Sequence, residues 1–226
     1  MVRGPEKSEV CNTKKRIMDA AEILFAERGF ERTTTHLLTS MAGVNQAAVN
    51  YHFGSKDKLI EEVIMRRLSP ISRQSLTSLQ RIEAEADRTS LRPKTEDVLL
   101  AIIDPFFKIS SASSSESFFL AIVGRALVEQ DKTIQSIYRN CYKPVLNMIF
   151  NMLKKSMPEF PEQILHLRIH FALGTITYAM NLFKRKRLLE DFSTPPYGEE
   201  DVLQGLIRFV VSGMESIETV DRQNRC

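Results

Sequence analysis

The chain has 226 residues, 43% of them apolar, 26% charged and 8% aromatic, which excludes a disordered tail, a collagenous repeat or a small disulfide scaffold. That length is enough for a core of about 100 to 150 residues with a smaller appended unit. The formal net charge is only +3, so affinity for nucleic acid has to be argued from where the cations lie, not from bulk electrostatics.

The opening stretch MVRGPEKSEVCNTKKR carries charges with no apolar run behind them and so lacks the core of a secretory signal. Cys11, Cys141 and Cys226 are odd in number and far apart, with no C-x-x-C pair, so neither a disulfide framework nor a thiolate zinc site is expected. The longest mostly apolar segment, Ile169 to Phe183, is too short for a bilayer span and is interrupted by Thr175, Thr177, Tyr178 and Asn181. A reduced cytoplasm and no membrane partner fit these features.

Apolar residues recur at three and four rather than at two, which predicts an all-α protein. Ile17, Ala21, Leu24 and Phe25 line one side of a first helix, with Asp19, Glu22 and Glu27 on the solvent side and Gly29 as its stop. Thr33 or Thr34 caps a short second helix carrying Leu37, Leu38 and Met41, which Gly43 ends in the left-handed conformation. Asn45 caps a third, running only to His52 or Phe53, with Val49 and Phe53 inward. After Gly54, Ser55 caps a fourth with Leu59, Ile60, Val63 and Ile64 inward. Longer helices follow at about 56–88, 95–110, 115–130, 133–157, 161–187 and 199–218, with Pro70, Pro105 and Pro144 each expected to kink a helix or mark its true start.

Two short helices over 35–42 and 46–52, joined by a glycine-containing turn, have the helix-turn-helix spacing that seats the second helix in a major groove. Eight residues make a rod of about 12 Å, near the groove width of roughly 12 Å. Its outward face carries Gln46, Ala47, Asn50 and Tyr51; amides pair with adenine edges and an alanine methyl meets a thymine methyl. Thr33, Thr34, Asn45, Tyr51, His52 and Lys56 complete the candidate DNA-facing set, with Lys56 at the electropositive start of the fourth helix. Tyr51 and His52 suit either phosphate binding or packing against the fourth helix. The cluster Thr13-Lys14-Lys15-Arg16 is placed to reach a nearby backbone or minor groove.

Residues 14–68 resemble the DNA-binding domain of TetR-type transcriptional regulators, through I-x-x-A-A-x-x-L-F-A-E-R-G-F from Ile17, then A-G-V-N at Ala42 and Y-H-F-G-S-K-D-K-L from Tyr51. Asn50 stands where that family commonly has an aromatic. The resemblance implies an N-terminal three-helix DNA-binding domain, here 10–58, linked by helix 56–88 to a larger helical ligand-binding and dimerisation domain, 59–218, with 219–226 a tail. It further implies a homodimer on a palindromic double-stranded DNA operator, its reading helices one turn of DNA apart, most simply a repressor released by a small effector. Ile169, Leu173, Ile176, Met180 and Phe183 line one side of a helix suited to that dimer, while Ala172, Gly174 and Ala179 permit close approach.

AAVNYHFGSK and the R-x-H-F-x-L-G of Arg168–Gly174 also resemble the fatty-acid-responsive PsrA subgroup, which implies a long-chain fatty acid or acyl-CoA effector. Phe106, Phe107, Phe118, Phe119, Ile122, Met148, Phe150 and Phe171 are candidates for an acyl lining, although such a stripe is core by default. Arg125 is placed to meet a head group or to pair with Glu129, and Arg168 to join the ligand set or make buried hydrogen bonds. His166 and His170 have the i, i+4 spacing of a metal pair but no third ligand nearby in sequence, so neither metal nor cofactor is expected. No G-x-S-x-G, P-loop or dinucleotide fingerprint is present, so a catalytic role is not expected. Control by a protein partner in place of a small ligand is the alternative.

Overall fold

A computed structural model describes residues 7–112, 132–184 and 199–216, and the described residues are helical with no strand. The helices are α1 (Lys7–Arg28), α2 (Thr35–Ala42), α3 (Gln46–Phe53), α4 (Lys56–Thr89), α5 (Thr95–Ala112), α6 (Lys132–Ser156), α7 (Glu162–Lys184) and α8 (Glu199–Glu215). The helix expected over 115–130 lies outside the described residues, as do Arg185–Arg187 of the basic run that follows Lys184. The chain divides into two compact units, one of residues 1–74 with 105–145, the other of 75–104 with 146–226. α4 contributes residues to both units.

The first unit is built on α1, which packs against α2 and α3 while α2 packs against α3. Ile17, Ala21, Leu24, Phe25 and Phe30 are fully buried, and the Phe25 and Phe30 rings stack obliquely with centroids 5.1 Å apart. Each large side chain contributes about 1.5–3 kcal/mol by leaving water. Leu59, Ile60, Val63 and Ile64 bury the inner face of α4 as the periodicity predicts. Two expectations fail. Met41 is exposed, because the short α2 turns Leu38 and Ala42 inward instead. Glu22, assigned to solvent, is only 5% exposed and accepts from Arg66 and Arg67 of α4.

In the second unit α7 packs on α8 through Leu165, Ala172 and Ile176 against Leu206, Ile207, Val210 and Met214. The buried stripe of α7 is Leu165–Arg168–Ala172–Ile176; of the side expected to suit a dimer, Ile176 is buried and Ile169 and Leu173 are half-buried. Pro70, Pro105 and Pro144 lie inside α4, α5 and α6 and none starts a helix. Proline removes one N–H, freeing a carbonyl four residues earlier. Pro70 and Pro144 lie on exposed faces of their helices, whereas Pro105 is buried.

Candidate nucleic-acid interface

The helix-turn-helix is assembled from local hydrogen bonds the sequence specifies. Thr34 caps α2, its Oγ1 accepting the Leu37 N–H at 3.2 Å, and Gly43 ends the helix at φ 62°, ψ 41°. The Gly43 N–H donates to Ser40 O at 3.3 Å and the Val44 N–H to Thr39 O at 3.0 Å, which closes the turn. Asn45 then caps α3, its Oδ1 accepting from Ala48 N at 2.8 Å. Gly54, at φ 74°, ends α3 and donates to Asn50 O at 2.9 Å. Ser55 Oγ accepts from Lys58 N at 3.2 Å to open α4.

Val49 and Phe53 are the buried residues of α3. Asn45, Gln46, Ala47, Asn50 and Tyr51 are exposed, Tyr51 at 77%, so amides, a methyl and a phenol share one solvent-facing side. Half-buried His52 lies edge-on to Tyr51 with ring centroids 5.2 Å apart. Lys56 is exposed at the first turn of α4 and donates to Glu31 O at 3.3 Å. Thr33 departs from the expectation: it is 2% exposed and its hydroxyl donates to Gly29 O at 2.8 Å. It braces the α1–α2 turn and is withdrawn from any phosphate, leaving Thr34 as the exposed threonine of the cap.

Two cations of the basic cluster of α1 are also engaged within the protein. Arg16 Nη2 donates to Gly43 O at 3.0 Å. Lys14 pairs with Glu62 at 2.6 Å and lies 5.5 Å from the centre of the Phe53 ring.

The residues expected to line an effector cavity are only partly brought together. Phe118, Phe119, Ile122 and Arg125 lie outside the described residues, and Phe106 and Phe107 are placed only as positions on α5. Met148 and Phe150 are both half-buried on α6, but Phe150 stacks on His166 with centroids 4.1 Å apart, in a groove of about 490 Å³ that Met148 does not line. Arg168, a candidate for the ligand set, is 9% exposed: its Nη1 donates to Met214 O at 2.6 Å, and its guanidinium carbon sits 4.1 Å from the Phe160 ring centre. It closes the C-terminal end of α8, where a cation also complements the helix dipole. Phe171 is 64% exposed and shares a surface groove of about 480 Å³ with Phe209, not an interior lining.

His166 and His170 each turn Nδ1 to the carbonyl four residues earlier, at 2.8 and 2.7 Å. Among the described residues no group of three or more His, Cys, Asp or Glu side chains is placed to hold a metal, and no helix is long and apolar enough to cross a membrane. What the sequence did not reveal was the Glu22–Arg66–Arg67 cluster, the hydrogen bond from exposed Arg16 to the Gly43 carbonyl and the burial of Thr33. A charged residue amid an apolar stripe, as at Glu22 between Ala21 and Leu24, was the available signal for the first.

Residues 17–63 match the family described as bacterial regulatory proteins, tetR family, and residues 100–213 match the one described as tetracyclin repressor-like, C-terminal domain. The chain is similar to the HTH-type transcriptional regulator TtgR of Pseudomonas putida, 36% identical over 58 residues, which is 26% of this chain and 28% of that protein. The aligned stretch thus spans little more than a quarter of that relative. By fold it is similar to the fatty acid degradation regulator FadR from Bacillus halodurans, with a TM-score of 0.60 at 14% identity over 96% of this chain and 100% of that one. It is also similar to SmeT in its triclosan complex, with a TM-score of 0.60 at 18% identity over 88% and 90%.

Proposed function

The chain belongs to the TetR family of bacterial regulatory proteins, and from that premise we propose that it is a cytoplasmic, non-enzymatic transcriptional regulator that grips a palindromic operator as a homodimer. One observation carries the reading: α3 is capped at both ends, held by Val49 and Phe53, and turns Gln46, Ala47, Asn50 and Tyr51 to solvent together. Those groups suit base edges in a major groove, with Thr34, Asn45, His52 and Lys56 holding the flanking phosphates.

The homodimer is supported by α7 and α8, where Phe171, Tyr178 and Phe209 stay exposed at 64–69%. An apolar face of that kind is stabilised by a second copy of itself across a two-fold axis. The effector is a small hydrophobic molecule, a long-chain fatty acid or its acyl-CoA thioester, and its binding lowers operator affinity so that the protein acts as a repressor. The R-x-H-F-x-L-G stretch supports that choice, and so does the name of the fold relative FadR, a fatty acid degradation regulator.

Selection of duplexes from a random library, followed by fluorescence anisotropy on the enriched sequence with and without oleate and oleoyl-CoA, tests all three parts. A palindromic site with half-sites about 10 base pairs apart, bound by two chains and released by one of the ligands, is the expected result. Indifference to every duplex at low salt sinks the whole reading. Binding that neither ligand weakens removes only the effector.

A further inference from the structure

Arg16 and Lys14 sit in the one basic run of α1 that the sequence offers to a DNA backbone, yet the structure engages Arg16 with the turn between α2 and α3 and Lys14 with the last residue of α3. We infer that these two side chains are positioning residues for the recognition helix and do not contact phosphate; the inference rests on the DNA-binding reading above. An eight-residue helix is too short to hold its own conformation, so its aim depends on what fixes its two ends.

Ahead of α3 the peptide to be fixed is that of Gly43, the C-cap of α2, in the turn that leads to the Asn45 cap. Its N–H is used by the turn, but its carbonyl falls outside both helices, and Arg16 Nη2 takes it at 3.0 Å. A charged donor makes this a stronger bond than a neutral pair would. Glycine and arginine fit each other here: a Cβ on Gly43 would stand 2.6 Å from Arg16 Nη2. At the exit end Lys14 Nζ lies 5.5 Å from the centre of the ring of Phe53, the last residue of α3, and pairs with Glu62 Oε2 of α4 at 2.6 Å. Residues two apart on a helix point to different sides. α1 therefore reaches the turn before α3 with Arg16 and the last residue of α3 with Lys14, and the charge of Lys14 is already matched by Glu62. Arg16 and the neighbouring Lys15 are both exposed, but Arg16 has its acceptor within the protein, so Lys15 remains the cation of this run offered to a phosphate.

Two measurements test this, and the first needs no DNA. In the free protein, Arg16→Gln should speed amide hydrogen exchange at Val44 and along α3 by about tenfold, the scale of one lost charged hydrogen bond. If the protein proves indifferent to DNA while exchange rises, the functional reading falls and the brace stands as a structural fact. On the selected operator, Arg16→Gln and Lys14→Gln should each weaken binding about tenfold, with the slope of log K against log[salt] unchanged and part of the loss at Arg16 recovered by Arg16→Lys. A slope lowered by about 0.9 per substitution marks a phosphate contact and overturns the inference. Unchanged exchange together with unchanged affinity overturns it as well. Should Arg16→Gln not fold, Arg16→Lys carries the same test: a smaller loss at unchanged slope supports the brace, and affinity equal to the parent's overturns it.

Discussion

Glu22 of α1 and Arg67 of α4 form a near-buried ion pair, Nε to Oε1 at 2.6 Å, and the other Glu22 oxygen accepts from Arg66 at 2.5 Å. Arg66 in turn reaches Asp19 at 2.7 Å. Two cations on α4 thus converge on one carboxylate of α1, which ties α4 to α1 within the first unit. A buried carboxylate with two guanidinium partners satisfies its lone pairs, but removing it strands both cations.

Glu22→Gln should therefore cost about 2–3 kcal/mol in urea unfolding followed by circular dichroism. That is below the usual range for a buried pair, because the two arginine side chains are about one-quarter exposed. Asp19→Asn, on a side chain half-exposed, should cost less than about 1 kcal/mol. Equal losses at the two positions would mean that burial does not set the strength of the cluster.

The pattern of legible and illegible features follows from what periodicity encodes. Caps and stops are local, so Thr34, Gly43, Asn45 and Gly54 could be read directly, and the helix-turn-helix came with them. The partner of a buried charge is not local: Arg66 and Arg67 lie 44 and 45 residues from Glu22, and nothing in the spacing around Glu22 names them. Arg168 was ambiguous for the same reason, its acceptor being 46 residues away. Thr33 and Thr34 are adjacent threonines before a helix, and which is the cap and which is buried depends on how α1 ends at Gly29. Pro70, Pro105 and Pro144, each expected to kink a helix or mark its start, lie inside helices that continue past them, since tertiary packing can hold a long helix together past one missing bond.

On the outer face of α3, Asn50→Ala and Gln46→Ala should each lower affinity for the selected operator by about 1–3 kcal/mol and relax preference at one base pair per half-site. Folding stability should change by less than about 0.5 kcal/mol, since both side chains are exposed. Competition among duplexes differing at single base pairs measures this. A loss spread evenly over all sequences would place these residues on phosphates instead.

Arg168→Met should destabilise the second unit by about 1–3 kcal/mol, because the Met214 carbonyl loses its donor in a buried setting, and Arg168→Lys should recover part of that. Any fatty acid affinity should survive Arg168→Met, the guanidinium being occupied in the protein. Thermal melts and calorimetric titration with oleate separate the two effects.

Burial pushes the Cys141 thiol up, with a hydrogen bond involving Ser69 acting more weakly in the opposite sense. Thiolate is the reactive form, so iodoacetamide near neutral pH should modify exposed Cys11 well before Cys141, read from tryptic peptides by mass spectrometry. Because the folded state holds this proton more tightly than the unfolded chain, the associated stability is present below the unfolded thiol's value. It is lost as pH rises toward the folded one. Labelling of Cys141 should accelerate over the same alkaline interval.

With Val49 and Phe53 as its buried anchors, and Asn45 and Gly54 as its end caps, α3 asks little of its remaining side chains for folding. Those positions are free to drift under selection, since a change at Gln46, Ala47, Asn50 or Tyr51 alters what is recognised without endangering the scaffold that presents it. A lineage carrying this domain can acquire new target sequences by a few substitutions, with no compensating repair elsewhere in the chain.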